Sequence, residues 1–301
     1  MNSRYVGYIC CALAMLGVGS TVVISKSIAA GLPPFSATAL RFAIAFPLFV
    51  LVMRWRGVRW PRLERRDAAL VIAQAAAGSV GYTVLLISGM KLASAGDAGV
   101  IAGTLPAVSA VVAMLALRER PSPALLGAIV LATAGVLACT VRSGAGVAPH
   151  EGGSLPGNLL VFAAVVCEAL FILLNRKLRT PVAPLPLSAL MCGIGFAVCI
   201  VPACFEKPWT LPLDPAALTG VIYYALVPTV AGFVLWYEGA ARVSGAEAGL
   251  MTALVPVSAL ALAALLLREP VSAAQLMGVA CVLGAVMLAT FGQALGARRA
   301  A

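Results

Sequence analysis

The chain has 301 residues, of which 62% are hydrophobic and 11% charged, whereas an ordinary soluble domain is about 25% charged; a water-soluble fold is excluded. Long apolar runs such as Ala107 to Leu117, interrupted by Ser109 alone, and Ala259 to Leu267 also exclude a β-barrel, whose strands alternate apolar and polar residues. The formal charge of +10 lies beside apolar segments rather than on a polar surface, so it reads as membrane orientation and not as a nucleic-acid site.

Hydropathy, helix breakers and charges divide the chain into ten predicted spans: 5–30, 35–53, 68–92, 96–117, 122–142, 156–179, 184–205, 215–241, 245–267 and 272–292. Arg4 precedes the first apolar run as it would in a signal peptide, but the run passes 20 residues without a small-residue cleavage site, so it reads as a retained helix. The loop from Arg54 to Asp67 holds six arginines and reads as a clamp on anionic headgroups. The loop from Arg142 to Leu155, with the single histidine His150, reads as a linker. With the N-terminus inside, fifteen Lys and Arg fall on the inner side, five on the outer, and Arg41 within a span, which predicts cytoplasmic termini. The eight cysteines lie in or beside apolar spans without CxxC spacing and read as small buried hydrophobes.

An internal repeat organises the whole. Ser94-Ala-Gly-Asp97-Ala98-Gly99, Pro106 and Leu117-Arg118-Glu119 recur as Ser244-Gly-Ala-Glu247-Ala248-Gly249, Pro256 and Leu267-Arg268-Glu269, displaced by 150 residues. Gly7 and Gly157, Lys26 and Arg176, and Gly89 and Gly239 keep that displacement. Each half has five spans, an odd number, so the second must enter the membrane from the opposite side. The expected fold is an all-α integral membrane protein of ten transmembrane helices in two inverted five-helix repeats: residues 1–145, an outer linker at 146–155, and residues 156–301. Inverted repeats can exchange conformations, which is the geometry of alternating access.

These residues resemble the drug/metabolite transporter superfamily, and within it the ten-helix EamA-like permeases. Gly17 to Lys26 is similar to the small-residue and basic pattern of the family's first helix, with Leu16 in place of its usual tryptophan. Leu40-Arg41-Phe42 is similar to the second-helix motif, and Ala95 to Glu119 and Gly245 to Glu269 to the fourth and ninth helices. The resemblance implies a bacterial inner-membrane protein similar to the amino-acid exporters of the YddG type. Where those exporters have tryptophans in the fourth and sixth helices, this chain has Leu105 or Thr104, and Glu168, which implies a broader or more polar substrate range.

Glu168 is the one carboxylate near the middle of a predicted span; a charge there is costly unless paired, hydrated or protonated. It reads as a substrate-amine partner, a proton-coupling group, or a protonated carboxyl bonded to a neighbouring helix. Lys26 and Arg41, toward the outer ends of their spans, are candidate gate residues or partners for a substrate carboxylate, or else snorkel. Asp97 and Glu247 read as helix N-terminal caps, and Glu119 and Glu269 as loop or gate salt bridges. Pro106 and Pro256 free carbonyls in mid-span and mark kinks, with Thr104 and Thr252 close by. Helical spacing of four groups Tyr224, Pro228, Gly232 and Trp236 on one face, and Gln74, Gly78, Gly81, Tyr82 and Leu85 on another. The candidate substrate pathway is therefore Tyr82, Thr104, Pro106, Glu168, Tyr224, Trp236, Thr252 and Pro256.

Other classes lack their chemistry. A serine hydrolase needs a base near its serine, and His150 lies in a polar loop. There is no HExxH, no His or Asp ligand set within the spans, and no GxxxxGK phosphate loop. The expectation is a monomeric secondary carrier without enzymatic activity, metal or cofactor. It binds membrane lipid and moves amino acids or similar small metabolites outward; the alternative is a nucleotide-sugar or lipid-linked metabolite transporter. Spans one, three, four, six, eight and nine should line its cavity as the two halves rock.

Overall fold

The computed structural model describes residues 3–117, 123–144, 154–212, 214–243 and 245–300. Helices occupy every predicted span, and the second half repeats the first at nearly the same displacement. The first half comprises α1 (Ser3–Gly31), α2 (Pro34–Trp55), α3 (Arg65–Gln74), π1 (Ala75–Gly81), α4 (Tyr82–Met90), α5 (Ala95–Gly103), α6 (Leu105–Leu117) and α7 (Pro123–Gly144). The second comprises α8 (Leu155–Arg176), α9 (Pro184–Phe205), α10 (Pro215–Tyr224), π2 (Ala225–Ala231), α11 (Gly232–Ala240), α12 (Gly245–Met251), α13 (Leu254–Leu266) and α14 (Ala273–Ala300). Among the described residues six helical stretches are long and apolar enough to cross a membrane, and the bent pair α5 and α6 makes a seventh. The chain is a multi-pass membrane protein.

Local chemistry sets the boundaries. Prolines occupy the first turns of α2, α8, α9 and α10, where their missing N–H costs nothing. Ser94, Ser154 and Asp214 cap α5, α8 and α10 through their side-chain oxygens. Gly57 ends α2 at φ 65°, a left-handed conformation that favours glycine. The fourth span breaks at Thr104 with a 45° bend. Pro106 is thereby the second residue of a new helix, where its absent donor is one that would find no partner anyway. The proline begins a helix rather than kinking one.

The two halves of the chain interlock. One bundle combines α2, α3–π1–α4, α9 and α10–π2–α11; the other combines α5–α6, α7, α12–α13 and α14. Each bundle takes equally from both halves, and α1 and α8 lie between them, packing on both. Glycines allow these approaches: a Cβ on Gly89 would stand 3.0 Å from the Gly157 carbonyl oxygen, and one on Gly239 would stand 2.9 Å from that of Gly7. The repeat-related glycines thus bind the third span of each half to the first helix of the other. The sequence halves are not the rigid bodies of this fold, because the strongest packing runs between them.

One core cluster fills the face opposite Arg4, which we call the far face. There α1 packs on α4 and α5, bringing Val22, Ile28, Ile87, Met90, Ala98 and Ile101 together. The repeat-related contacts at the Arg4 face, α8 against α11 and α12, have no comparable packing among the described residues.

Candidate functional site

Between the two bundles lies a cavity of about 390 Å³. Tyr82, Pro106, Glu168, Tyr224, Trp236 and Thr252 all line it, as does Arg41. Two pathway candidates lie elsewhere. Thr104 is 3% exposed, and its hydroxyl donates to the Ile101 carbonyl at 2.6 Å; it lines a separate groove on the other side of the bent span. Pro256 is buried against α5, beside Gly103. Its repeat partner Pro106 therefore faces the cavity, whereas Pro256 packs.

Arg41 is the main departure in the wall. The second span contributes it to the cavity, although that span is not among those expected to line it. Its guanidinium carbon stands 4.5 Å from the Tyr224 ring centroid and 4.6 Å from that of Phe42, a cation–π arrangement that makes burial of the charge tolerable. Nη1 donates to the Thr83 hydroxyl at 3.0 Å, while Nε is buried without a hydrogen-bond partner. Glu168 is half-buried on α8 and forms no ion pair among the described residues. Arg41 and Glu168 thus give one cation and one carboxylate to a largely apolar and aromatic chamber, which also presents hydroxyls from Thr21, Ser79 and Thr229.

The π-helical turns explain the wall residues that helical spacing missed. Each inserts a wider turn at the same position in its half, and one extra residue rotates the following face by about 100° relative to an unbroken α-helix. Ser79, Thr229 and Phe233 line the cavity beside Gly78, Tyr82, Pro228 and Trp236 of the expected faces, whereas Gly232 and Gly81 do not. Gln74 is fully buried and donates to the Phe171 carbonyl at 3.3 Å instead. Periodicity carries no sign of such an insertion.

The cavity is sealed toward the far face and extends toward the Arg4 face, where Phe171 and Ile172 of α8, Trp236 of α11 and Thr252, in the turn between α12 and α13, form its walls. Lys26 takes part in the seal rather than in the cavity. It pairs with Glu269, whose second oxygen accepts from the Ala95 and Gly96 amides at 2.9 and 3.2 Å. A carboxylate at these free amides meets the positive end of α5. Nearby, Asp97 accepts from Gln275 at 2.9 Å, and Ser94 caps the helix in its place. At the Arg4 face Glu247 accepts from Tyr8 at 2.5 Å and pairs with Arg4 at 2.8 Å, tying α1 to α12. Glu119 and His150 lie outside the described residues. Of the cysteines, Cys204 is exposed, against expectation, because it lies on the outward face of α9.

The profile of the EamA-like transporter family matches residues 5–141 and 155–291. The chain belongs to this family. Among EamA-like relatives, it is 32% identical to the uncharacterized transporter YetK of Bacillus subtilis, over 93% of this chain and 86% of that protein. It is 30% identical to a probable terminal-alkyne amino-acid exporter of Streptantibioticus cattleyicolor, over 81% of this chain and 80% of that protein. Identity to the aromatic amino acid exporter YddG of Ancylobacter novellus is 26%, over 79% and 81%. A solved crystal structure superposes with a TM-score of 0.64 at 21% identity, covering 96% of this chain and 97% of that one, and shares the fold. As an EamA-like protein the chain is a transporter.

Proposed function

We propose that this protein exports amino acids or similar small metabolites from a bacterial cytoplasm by alternating access, as a monomeric carrier with no enzymatic step. The observation that carries this reading is the presence of one cation, Arg41, and one carboxylate, Glu168, in the lining of the same chamber. A zwitterion offers a carboxylate to the buried guanidinium and an ammonium to Glu168, and each buried charge then finds a partner. A nucleotide sugar would require several cations for its two phosphates, and among the described residues the wall provides Arg41 alone. Relatives named as amino-acid exporters support the substrate class. The inner-face excess of arginine supports cytoplasmic termini in an inner membrane, which makes the Arg4 face the side of entry.

In this reading the two EamA-like repeats, 1–145 and 156–301 with the linker 146–155 between them, supply inverted copies of each element, but the moving bodies are the mixed bundles. Tyr82, Pro106, Tyr224, Trp236 and Thr252 shape the binding chamber, Lys26 works in the far-face gate, and Thr104 and Pro256 support the bent spans. The test is uptake of radiolabelled aromatic, aliphatic, basic and hydroxyl amino acids and one nucleotide sugar into proteoliposomes, with and without a pH gradient, for wild type and Glu168→Gln. Amino-acid flux lost in Glu168→Gln is expected; flux of the nucleotide sugar alone would overturn the substrate class.

A further inference from the structure

A second chamber lies on the other side of the bent fourth span. It is a groove of about 630 Å³ between α5–α6, α7 and α8. Leu155, Leu159, Phe162 and Val166 of α8 face Val108 and Val111 of α6 across it. The side chains at its rim are widely exposed, Leu115 at 79% and Leu159 at 58%, so it opens sideways toward the bilayer rather than to water. Three polar side chains break this apolar lining, and two of them, Thr104 and Thr133, spend their hydroxyls on the Ile101 and Ile129 carbonyls. Asn158 is 2% exposed, and neither Nδ2 nor Oδ1 has a hydrogen-bond partner. An amide buried without a partner costs free energy that an apolar residue of the same size would not.

We propose that this groove binds one acyl chain of a glycerophospholipid, with the Asn158 amide donating to the ester carbonyl of that chain. Three observations select this occupant. At membrane depth the apolar molecules that reach a lateral opening are lipid chains. From Leu155 to Val166 the groove runs about 17 Å along α8 at 1.5 Å per residue, close to the roughly 15 Å of one leaflet of a 30 Å hydrocarbon core. Asn158 lies one turn into α8, about 5 Å from its start, the level at which ester carbonyls meet the hydrocarbon. The remaining lining holds no charged side chain, and its two threonine hydroxyls already donate to backbone carbonyls. Because Thr104 and Val108 face the groove while Leu105 and Pro106 face the central cavity, the lipid buttresses the broken span from behind. The inference concerns lipid alone and stands whatever the transported substrate is.

The experiment compares a dioleoyl phosphatidylglycerol diester with its dialkyl-ether counterpart, which has the same headgroup and chains but no carbonyl. Retained lipid is counted by native mass spectrometry of the purified protein, and the unfolding temperature is followed as each lipid is titrated. The diester should bind with a stoichiometry of one at this groove, about five-fold more tightly than the ether, the effect of one net hydrogen bond. Asn158→Leu should make the two lipids equivalent and raise the unfolding temperature of the lipid-free protein, since it removes the unpartnered amide. Thr133→Trp, placed at an exposed position of the groove wall, should abolish retention of the diester. Equal binding of diester and ether to wild type, or a preference that survives in Asn158→Leu, would overturn the proposal. So would displacement of lipid by a second copy of the chain, seen as a dimer lost in Thr133→Trp.

Discussion

The guanidinium of Arg41 lies over the ring of Tyr224, 4.5 Å from its centroid, joining the second span of one repeat to the third span of the other inside the central cavity. The contact holds a charge that has Thr83 as its hydrogen-bond acceptor while leaving Nε available. Arg41→Lys keeps the charge but loses the planar fork and the stacking. Initial uptake of the best substrate should fall at least ten-fold, roughly 1.4 kcal/mol. Tyr224→Phe should keep most of the activity and Tyr224→Leu little, because ring and not hydroxyl supports the guanidinium. Equal losses in the two tyrosine variants would contradict this.

Lys26 and Glu269 close the far face together with the amino end of α5. The pair is partly exposed, so its electrostatic worth is reduced by solvent, but Glu269→Ala removes the ion pair and the two amide contacts at once. In a cysteine-free background with Val22→Cys as reporter, maleimide applied from the far side should react about three- to ten-fold faster after Glu269→Ala, as a shift of about 1 kcal/mol requires. An unchanged rate would remove this carboxylate from the gate.

The repeat also locates the contacts of the opposite state. Val22 and Ile87 share the sealed far-face cluster, and their counterparts 150 residues on are Ile172 and Tyr237. When the Arg4 face closes, α8 should meet α11 at these positions. A Cys pair at Ile172 and Tyr237 should cross-link more readily while substrate is being transported, and the cross-link should stop flux. Cross-linking that ignores turnover would count against the exchange.

Glu206 accepts from the amides of Phe35 and Ser36 at 3.1 and 2.7 Å and from the Ser36 hydroxyl at 2.7 Å. It therefore caps α2 from the end of α9 and anchors the bundle that carries Arg41. Glu206→Ala should destabilise the protein by about 2 kcal/mol, read as a lower unfolding temperature in detergent. Glu206→Gln should recover part of this, since one amide oxygen still accepts. Loss of uptake should follow loss of folded protein and no more.

Much of this was legible from residues alone, for definite reasons. A span of about 20 apolar residues has few alternatives, so the helices lie where hydropathy places them. The displaced copies of Ser94 to Glu119 revealed the duplication, and Glu168 stood out because a mid-span carboxylate is costly. Other features depend on contacts between distant segments. Arg41 could be read as a gate residue because nothing near it in sequence announces Tyr224. Pro106 and Pro256 look equivalent in the repeat, yet one faces the cavity and the other packs beside Gly103. The intertwining of the halves is likewise invisible in a linear repeat, and the π-helical turns leave no mark on periodicity.

Those turns bear on ancestry. They occupy Ala75–Gly81 and Ala225–Ala231, equal in length and at the displacement of the repeat, so a single irregularity in an ancestral five-helix unit accounts for both. Such a unit would have had to insert in both orientations and assemble as an antiparallel pair. Arg59, Arg62, Arg65 and Arg66 have as counterparts Trp209, Pro212, Pro215 and Ala216, none of them basic. The wider turn is common to both copies, whereas the arginines tell one copy from the other.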